Sequence, residues 1–262
     1  VGAVRAIFSQ EAVREFQVLT DSYSAEFGKA SGGVVNIVTK SGTNTLRGNA
    51  YIYFRDKSLN ARSYFEQFDI FGNPANLEKA PYSQEQWGAT LGGPLVKDRT
   101  FFFLSLEQTD ITDNRVVTID QTVASVLTNA GFPVELGNVP LNISNNEFLG
   151  KVDHYWSPLH NLVARVNYAD IEREGVDDFG GSVARSRGSV QNRTDWGVSI
   201  AQTDVLSSRR VNEFRMQYAH EDQAIEGLDP ACGGPCTGIN QGGPTLEVVG
   251  VVEDIRQGRV AT

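Results

Sequence analysis

The chain has 262 residues, of which 40% are hydrophobic and 21% are charged, and its formal net charge is −9. This acidic balance, without any cluster of Lys and Arg, excludes a nucleic-acid-binding surface, because phosphate recognition needs clustered cations. No run of about 18 apolar residues occurs, so no membrane-spanning helix is predicted. The sequence is instead rich in Gly, Phe and Tyr, with a single Met, a composition that favours β-structure.

Seven segments of the chain alternate between apolar and polar residues with a period of two, which is typical of β-strands. The predicted strands are residues 46–55, 85–93, 100–109, 147–156, 162–172, 193–203 and 210–221. Each is about ten residues long, the length that a tilted strand needs to cross a bilayer. Helical periodicity is confined to short turns predicted at residues 10–14, 24–28 and 121–130.

The alternation predicts one apolar and one polar face for the strands. In the fourth strand, Phe148 and Val152 alternate with Lys151 and Asp153, and the next three strands repeat this pattern. A soluble β-sandwich would show the same alternation with its apolar face turned inward, so both architectures stay open at this point. The strands also carry aromatic residues that can form membrane-interface girdles or an ordinary core: Tyr51, Tyr53, Phe54, Phe101, Phe102, Phe103, Tyr155, Trp156, Tyr168, Trp196 and Tyr218.

The connections between the predicted strands alternate in length. The short, turn-like ones are residues 94–99, 157–161 and 204–209, and the long, polar ones are residues 56–84, 110–146 and 173–192. Structureless loops beyond about 12–15 residues are uncommon in soluble domains. Outer-membrane barrels join their strands by tight periplasmic turns and long extracellular loops. The connection lengths therefore favour a membrane barrel over a sandwich.

A string of small and apolar residues precedes the predicted strands. Residues 13–20 are VREFQVLT, and residues 23–42 are YSAEFGKASGGVVNIVTKSG. This string resembles the C-terminal end of the plug of TonB-dependent outer-membrane receptors, in which an Ala-x-x-Gly turn and a Gly-Gly pair precede a Val/Ile-Asn-Ile-x-Thr-Lys strand. The resemblance implies that residues 1–42 are the C-terminal part of a plug domain and residues 43–262 the N-terminal portion of a β-barrel. The predicted residues of the plug–barrel junction are Gly28, Gly32, Gly33, Asn36, Thr39 and Lys40.

The junction residues have distinct expected roles. Gly32 and Gly33 permit backbone conformations that a side chain would block. The apolar residues that follow, from Val34 to Val38, are expected to form a buried strand of the plug sheet. Asn36 and Thr39 are expected to be the polar side of that strand and to meet the barrel wall.

Downstream segments resemble one branch of the same family. The strings RGNAYIYFR (47–55), LNAR (59–62), QWGATLGGP (86–94) and KDRTFFF (97–103) look like the first barrel hairpins of the Oar-like group, whose members usually carry a carboxypeptidase-regulatory-like domain before the plug. Thr20-Asp21-Ser22 stands where siderophore receptors usually show Arg-Gly-Pro, which favours the Oar-like branch. The implied fold is all-β: about seven strands of an antiparallel transmembrane barrel of roughly 22 strands, preceded by the end of a plug.

The resemblance implies TonB-dependent active transport of a solute across the bacterial outer membrane. The implied partners are outer-membrane lipid, an unidentified solute, and the TonB complex, acting through a segment expected before Val1 because both ends are interpreted as cuts in a longer reading frame. Substrate contacts are expected in residues 56–84, 110–146, 173–192 and 223–244. The alternatives are a non-transporting surface β-protein, such as an adhesin or glycan-binding module, and a soluble β-sandwich enzyme.

Catalytic and metal-binding motifs are not found in the sequence. Neither Gly-x-Ser-x-Gly nor His-Glu-x-x-His occurs, so no enzyme activity and no cofactor are predicted. The adjacent acids Asp177 and Asp178 are interpreted as solvated loop residues rather than as a cation site. Cys232 and Cys236 lie in a Gly- and Pro-rich stretch, which fits a local disulfide in an oxidising compartment or two free thiols. No His has ligand spacing to these cysteines, so zinc is not predicted.

Overall fold

The fold is taken from a computed structural model, which describes residues 9–19, 33–62, 67, 79–129, 134–175, 179–185 and 188–228. Several sequence predictions lie outside the described residues: the helical turn at 24–28, Gly28 and Gly32 of the junction, the acids Asp177 and Asp178, and the pair Cys232 and Cys236.

The described residues form two antiparallel sheets. A 3-10 turn, Gln10–Ala12, leads into β1 (Val13–Leu19), which pairs with β2 (Val34–Thr39). The second sheet has seven strands: β3 (Arg47–Asp56), β4 (Ser83–Val96), β5 (Thr100–Val117), β6 (Gly137–Ser157), β7 (His160–Glu174), β8 (Ser189–Ser207) and β9 (Arg210–Gly227). A 3-10 turn, Lys57–Leu59, follows β3, and helix α1, Gln121–Asn129, connects β5 to β6.

The larger sheet is a simple meander, in which each strand pairs with its neighbours in sequence. In the described part of the chain, β3 and β9 form the two edges, so the sheet is not closed. All seven predicted strands are confirmed, as are the turn near residue 10 and the helix after residue 121. The prediction of an all-β antiparallel fold with about seven barrel strands is therefore confirmed.

Most strands are longer than the predicted ten residues, and this corrects the boundaries of the long connections. β5 and β6 continue their pairing to Val117↔Gly137, well inside the predicted loop 110–146. Polar side chains support this extension, since Thr112 donates to Asn142 at 3.2 Å and Asn114 donates to Asn138 at 3.0 Å. The outer part of β6 alternates Val139, Leu141 and Ile143 with polar residues and Pro140, a strand pattern that the predicted loop boundaries missed.

The three tight turns of the sheet are built alike. Each lies next to a register shift, at Pro94/Val96, Tyr155/Ser157 and Val205/Ser207. Such bulges increase the local twist and bend the strand. In the first of these turns Asp98 has φ 62, a left-handed conformation that Asp and Asn tolerate better than most residues.

The two faces of the seven-stranded sheet differ in composition and exposure. The face that we call apolar carries Leu106, Phe148, Tyr168 and Trp196 in one cross-strand row, and these side chains are half-buried or exposed. The opposite face, which we call polar, carries Ser105, Asp153, Asn167 and Asp195, each at most 6% exposed. Soluble proteins show the reverse arrangement. Among the described residues, no helix is both long and apolar enough to cross a membrane.

Candidate functional site

One row of the polar face crosses the whole sheet. Its residues are directly opposite one another in register: Tyr51, Gly88, Glu107, Glu147, Ala169, Asp195 and Glu221. At the β3 end, the Tyr51 hydroxyl donates a hydrogen bond to the Glu107 carboxylate two strands away. Glycine at position 88 makes this possible, because a Cβ there would collide with the Tyr51 hydroxyl and lie 2.5 Å from its Cζ. Sequence and register thus place a tyrosine–carboxylate pair on this face.

At the β8 end of the row, charges are paired. Arg193 donates from Nε to Oδ2 of Asp195 at 2.7 Å and lies 3.9 Å from the Glu221 carboxylate. On the same face, closer to the tight turns, Lys151 Nζ lies 3.6 Å from Asp153. Charged groups that are largely buried in this way need partners, because a lone buried charge is costly. The polar face therefore carries compensated charge rather than an excess of one sign.

Several buried polar atoms on this face have no hydrogen-bond partner within the described residues. They are Ser105 Oγ, Asn145 Oδ1, Asp153 Oδ2, Arg165 Nε, Asn167 Nδ2 and Asp195 Oδ1. All six lie on the polar face, as strand alternation from the register shows. Buried polar groups are nearly always hydrogen-bonded in native proteins. These six atoms are therefore the places on this face where hydrogen bonding is incomplete within the described residues.

The turn before β1 and the linker after β2 lie against the polar face. Ala12 is fully buried and packs with Phe103 of β5 and Leu149 of β6. Ser9 Oγ lies 3.2 Å from the Tyr51 hydroxyl, and Lys151 Nζ donates to Ser41 Oγ at 2.8 Å. Every wall residue in these contacts belongs to the polar face.

The linker between β2 and β3 is fixed to the first tight turn of the larger sheet. Asn44 donates to Asp98 Oδ1 at 2.5 Å and accepts from the Asp98 backbone N–H at 2.8 Å. Gly42 approaches the backbone of β4 and β5 so closely that a Cβ would lie 2.7 Å from the Gly93 carbonyl oxygen. The two sheets are therefore joined through a short, anchored segment.

Residues 38–137 match the outer membrane β-barrel domain family. The seven-stranded sheet is part of an outer-membrane β-barrel. One relative, the TonB-dependent transporter Oar of Myxococcus xanthus, is 34% identical over 95 residues. That segment is 36% of this chain and 9% of the relative, so the chain spans a small part of its length. No solved structure matches.

The barrel assignment explains the apolar face, which is the lipid-facing side. One cross-strand row of this face contains Leu106 and Trp196, and another, closer to the tight turns, contains Leu162 and Phe214. From the first row to the second, this face carries no Asp, Glu, Lys or Arg. The predicted aromatic residues divide between the faces. Phe54, Phe102, Trp156, Tyr168, Trp196 and Tyr218 face lipid, whereas Tyr51, Tyr53, Phe101, Phe103 and Tyr155 face the barrel interior.

The described junction residues have different environments. Gly33 has φ 150, a conformation that favours glycine, and the Lys40 backbone N–H donates to the Ala12 carbonyl at 2.8 Å. The expectation that Asn36 and Thr39 share a polar side is wrong. They are three positions apart along β2, an odd offset, so they point to opposite faces; Thr39 is buried and Asn36 is exposed. Val38 is also exposed, contrary to the expected burial of the whole apolar run.

A second packed region lies on the polar face beyond the lipid-facing band, toward the long connections. Phe179, from the β7–β8 connection, packs on Val117, Val139 and Leu141. Arg185 of the same connection pairs with Glu174, and this hydrogen bond raises the pKa of the guanidinium. At the start of α1, Asp120 accepts from the backbone N–H groups of Val123 and Thr122, which lowers its pKa. The described parts of two loop regions predicted to contact solute thus make packing and hydrogen-bond contacts with the sheet and within the loops.

Sequence reasoning missed the residues that organise the interior. Strand alternation alone assigns Asp195 and Lys151 to the polar side, but it gives no cross-strand partners. Tyr51 and Glu107 are 56 positions apart, and no local signal connects them. Among the described residues, no group of three or more His, Cys, Asp or Glu is arranged to hold a metal ion.

Proposed function

We propose that this chain is part of a TonB-dependent transporter that moves a solute through the barrel, and that residues 1–42 are the end of its plug. The docking of the turn at Gln10–Ala12 and the β2–β3 linker onto the polar face carries this proposal. A plug has to fill the barrel interior, and the interior wall is the face that these segments contact. The relative named as a TonB-dependent transporter supports the same function.

The contacts of the turn before β1 and of Ser41 with the wall suit a plug that must move. Within the described residues they include one small apolar cluster around Ala12 and the hydrogen bonds of Ser9 and Ser41. Each hydrogen bond contributes only about 0.5–1.5 kcal/mol net. A pulling force transmitted by TonB can therefore break them singly. The linker contacts of Asn44 and Gly42 hold the chain to the wall during such movement.

The proposed transporter belongs to the Oar-like branch, with the TonB complex as energy source through a segment outside this chain. Its solute enters from the side of the long connections, where Phe179 and Arg185 lie at the entrance to the barrel. We propose no catalytic step, since transport through a polar interior requires no bond to be broken. A non-transporting adhesin or glycan-binding protein would not require a mobile unit docked inside the barrel.

The test uses the burial of Ala12 in the complete protein, expressed in its host with Cys232 and Cys236 replaced by Ser. In an Ala12→Cys variant, a membrane-permeant maleimide should label Cys slowly at rest and faster when TonB and the proton gradient are active. An uncoupler or deletion of TonB should remove the difference. A matched Thr45→Cys variant, at an exposed position of the same linker that leaves the Asn44–Asp98 bonds intact, should label at the same rate in all conditions.

Two outcomes bear directly on the proposal. TonB-dependent labelling at position 12 with unchanged labelling at position 45 supports a plug that leaves the wall. The contrary outcome is equal labelling at position 12 with and without TonB, in protein that still inserts and shows barrel-like heat modifiability. This outcome would contradict the transport proposal and favour the adhesin.

A further inference from the structure

A cleft lies between the small sheet, the linker and the barrel wall. Its volume is about 650 Å³, within the range of about 300–1,000 Å³ common for small-molecule sites. The lining includes three cationic side chains, Arg14, Lys40 and Arg47, and four hydroxyls, those of Ser41, Thr43, Thr90 and Tyr155. It therefore has the size and the polar groups of a ligand site.

The charge of the cleft contrasts with that of the chain. The residues that line it include no Asp or Glu, although the whole chain has a net charge of −9. Lys40 pairs with Glu11 at 3.3 Å, but Glu11 does not line the cleft. Within the described residues, Arg14 and Arg47 form no ion pair. Two guanidinium groups are thus available in one cavity.

Local structure directs these cations into the cleft. Arg14 is the extra residue at a register shift, between the pairs Val13↔Thr39 and Glu15↔Val38. A bulge of this kind redirects a side chain and is common next to functional sites. Arg47 begins β3 and lies opposite Gly92, which also lines the cleft.

We propose that this cleft binds a small organic anion carrying two or more carboxylate or phosphate groups, as an inner binding step during transport. Guanidinium groups bind both kinds of oxyanion through paired charge-assisted hydrogen bonds, and hydroxyls add donors. The cleft is formed jointly by the small sheet and the wall, so displacement of the small sheet would open it and release the anion. This inference rests on the proposed transport function and assigns its substrate class.

The test measures binding by the complete purified protein in detergent, by calorimetry, with citrate and with inorganic phosphate as probes. We expect at least one probe to bind and binding to weaken at higher salt. The double variant Arg14→Gln/Arg47→Gln should weaken binding by about tenfold or more, since charge-assisted hydrogen bonds are lost. The matched control Arg55→Gln removes an exposed arginine of β3 outside the cleft and should leave affinity within about twofold.

The two probes distinguish the anion. Tighter binding of citrate indicates a carboxylated solute, and tighter binding of phosphate indicates a phosphorylated one. Failure of both probes to bind wild-type protein, or equal affinity in the double variant, overturns the inference. Heat modifiability of each variant checks that the barrel is intact.

Failure here is distinguishable from failure of the transport proposal. TonB-dependent labelling at position 12 combined with no cleft-dependent anion binding would leave transport standing and reject this site. Cleft-dependent anion binding without any TonB effect at position 12 would keep the site and reject transport.

Discussion

The two faces of the same strands have different surroundings, and the exposed fractions of neighbouring residues show this difference. Asp195 is 5% exposed and the next residue, Trp196, is 37% exposed; Ser105 is 1% exposed and Leu106 is 50% exposed. In a soluble protein the apolar member of each pair would be the buried one. In this protein the buried residues are therefore those that face the barrel interior, whereas the apolar face is stabilised by lipid.

The largest expected effect comes from placing a charge on the apolar face. Val198→Arg should destabilise the inserted barrel by about 2–4 kcal/mol, because the guanidinium would lie in hydrocarbon. Ala219→Arg, on the polar face near Glu221, is the matched control and should cost less than about 1 kcal/mol. Urea unfolding of the complete protein in lipid vesicles measures both. Equal losses would contradict the assignment of the faces.

A smaller effect is expected where the polar face depends on a glycine. Gly88→Ala should destabilise by about 1–3 kcal/mol, because the new Cβ would displace the Tyr51 ring from its place across β4. In a Tyr51→Ala background the same change should cost less, with a coupling of at least about 0.5 kcal/mol. The same unfolding assay tests the cycle. Additive losses would show that Tyr51 and Gly88 do not constrain each other.

The smallest expected effect separates buried from exposed ion pairs within the interior wall. Asp195→Asn should cost about 1 kcal/mol or more, since it weakens a charge-assisted bond to Arg193 that is largely shielded from solvent. Glu213→Gln removes the charge from an exposed pair with Arg215 and should change stability by less than about 0.5 kcal/mol. The stability change caused by Glu213→Gln should depend on the salt concentration more than the stability change caused by Asp195→Asn. The reverse order would contradict the burial of Asp195.

Much of the fold could be predicted because membrane-crossing strands repeat one local pattern. Alternation located all seven strands and assigned Lys151 and Asp153 to the polar side correctly. It failed at the outer parts of β5 and β6, where the apolar residues lie on the interior side: Val117, Val139 and Leu141 pack there under Phe179, while Thr112 pairs with Asn142 on the other side. Alternation beyond the bilayer therefore does not show which side faces outward.

The interior site could be predicted only in part, because cross-strand register depends on turn and bulge geometry. The pairing of Tyr51 with Glu107 follows from two registers and from the missing side chain of Gly88. The error at Asn36 and Thr39 had a different source, since polarity was used where strand parity decides the face. The sequence did not predict Arg14 as a site residue, because the bulge that turns it toward the cleft has no signal in the sequence.

The most direct test of the account is spin-label accessibility along β8 in the complete protein, reconstituted in lipid vesicles. Nitroxides at positions 198, 199, 200 and 201 should alternate: 198 and 200 accessible to oxygen dissolved in lipid, 199 and 201 accessible to a water-soluble nickel chelate. This period of two, with the apolar positions in lipid, is the result that we predict. Uniform accessibility, or the opposite phase, would contradict an outer-membrane barrel with a polar interior wall.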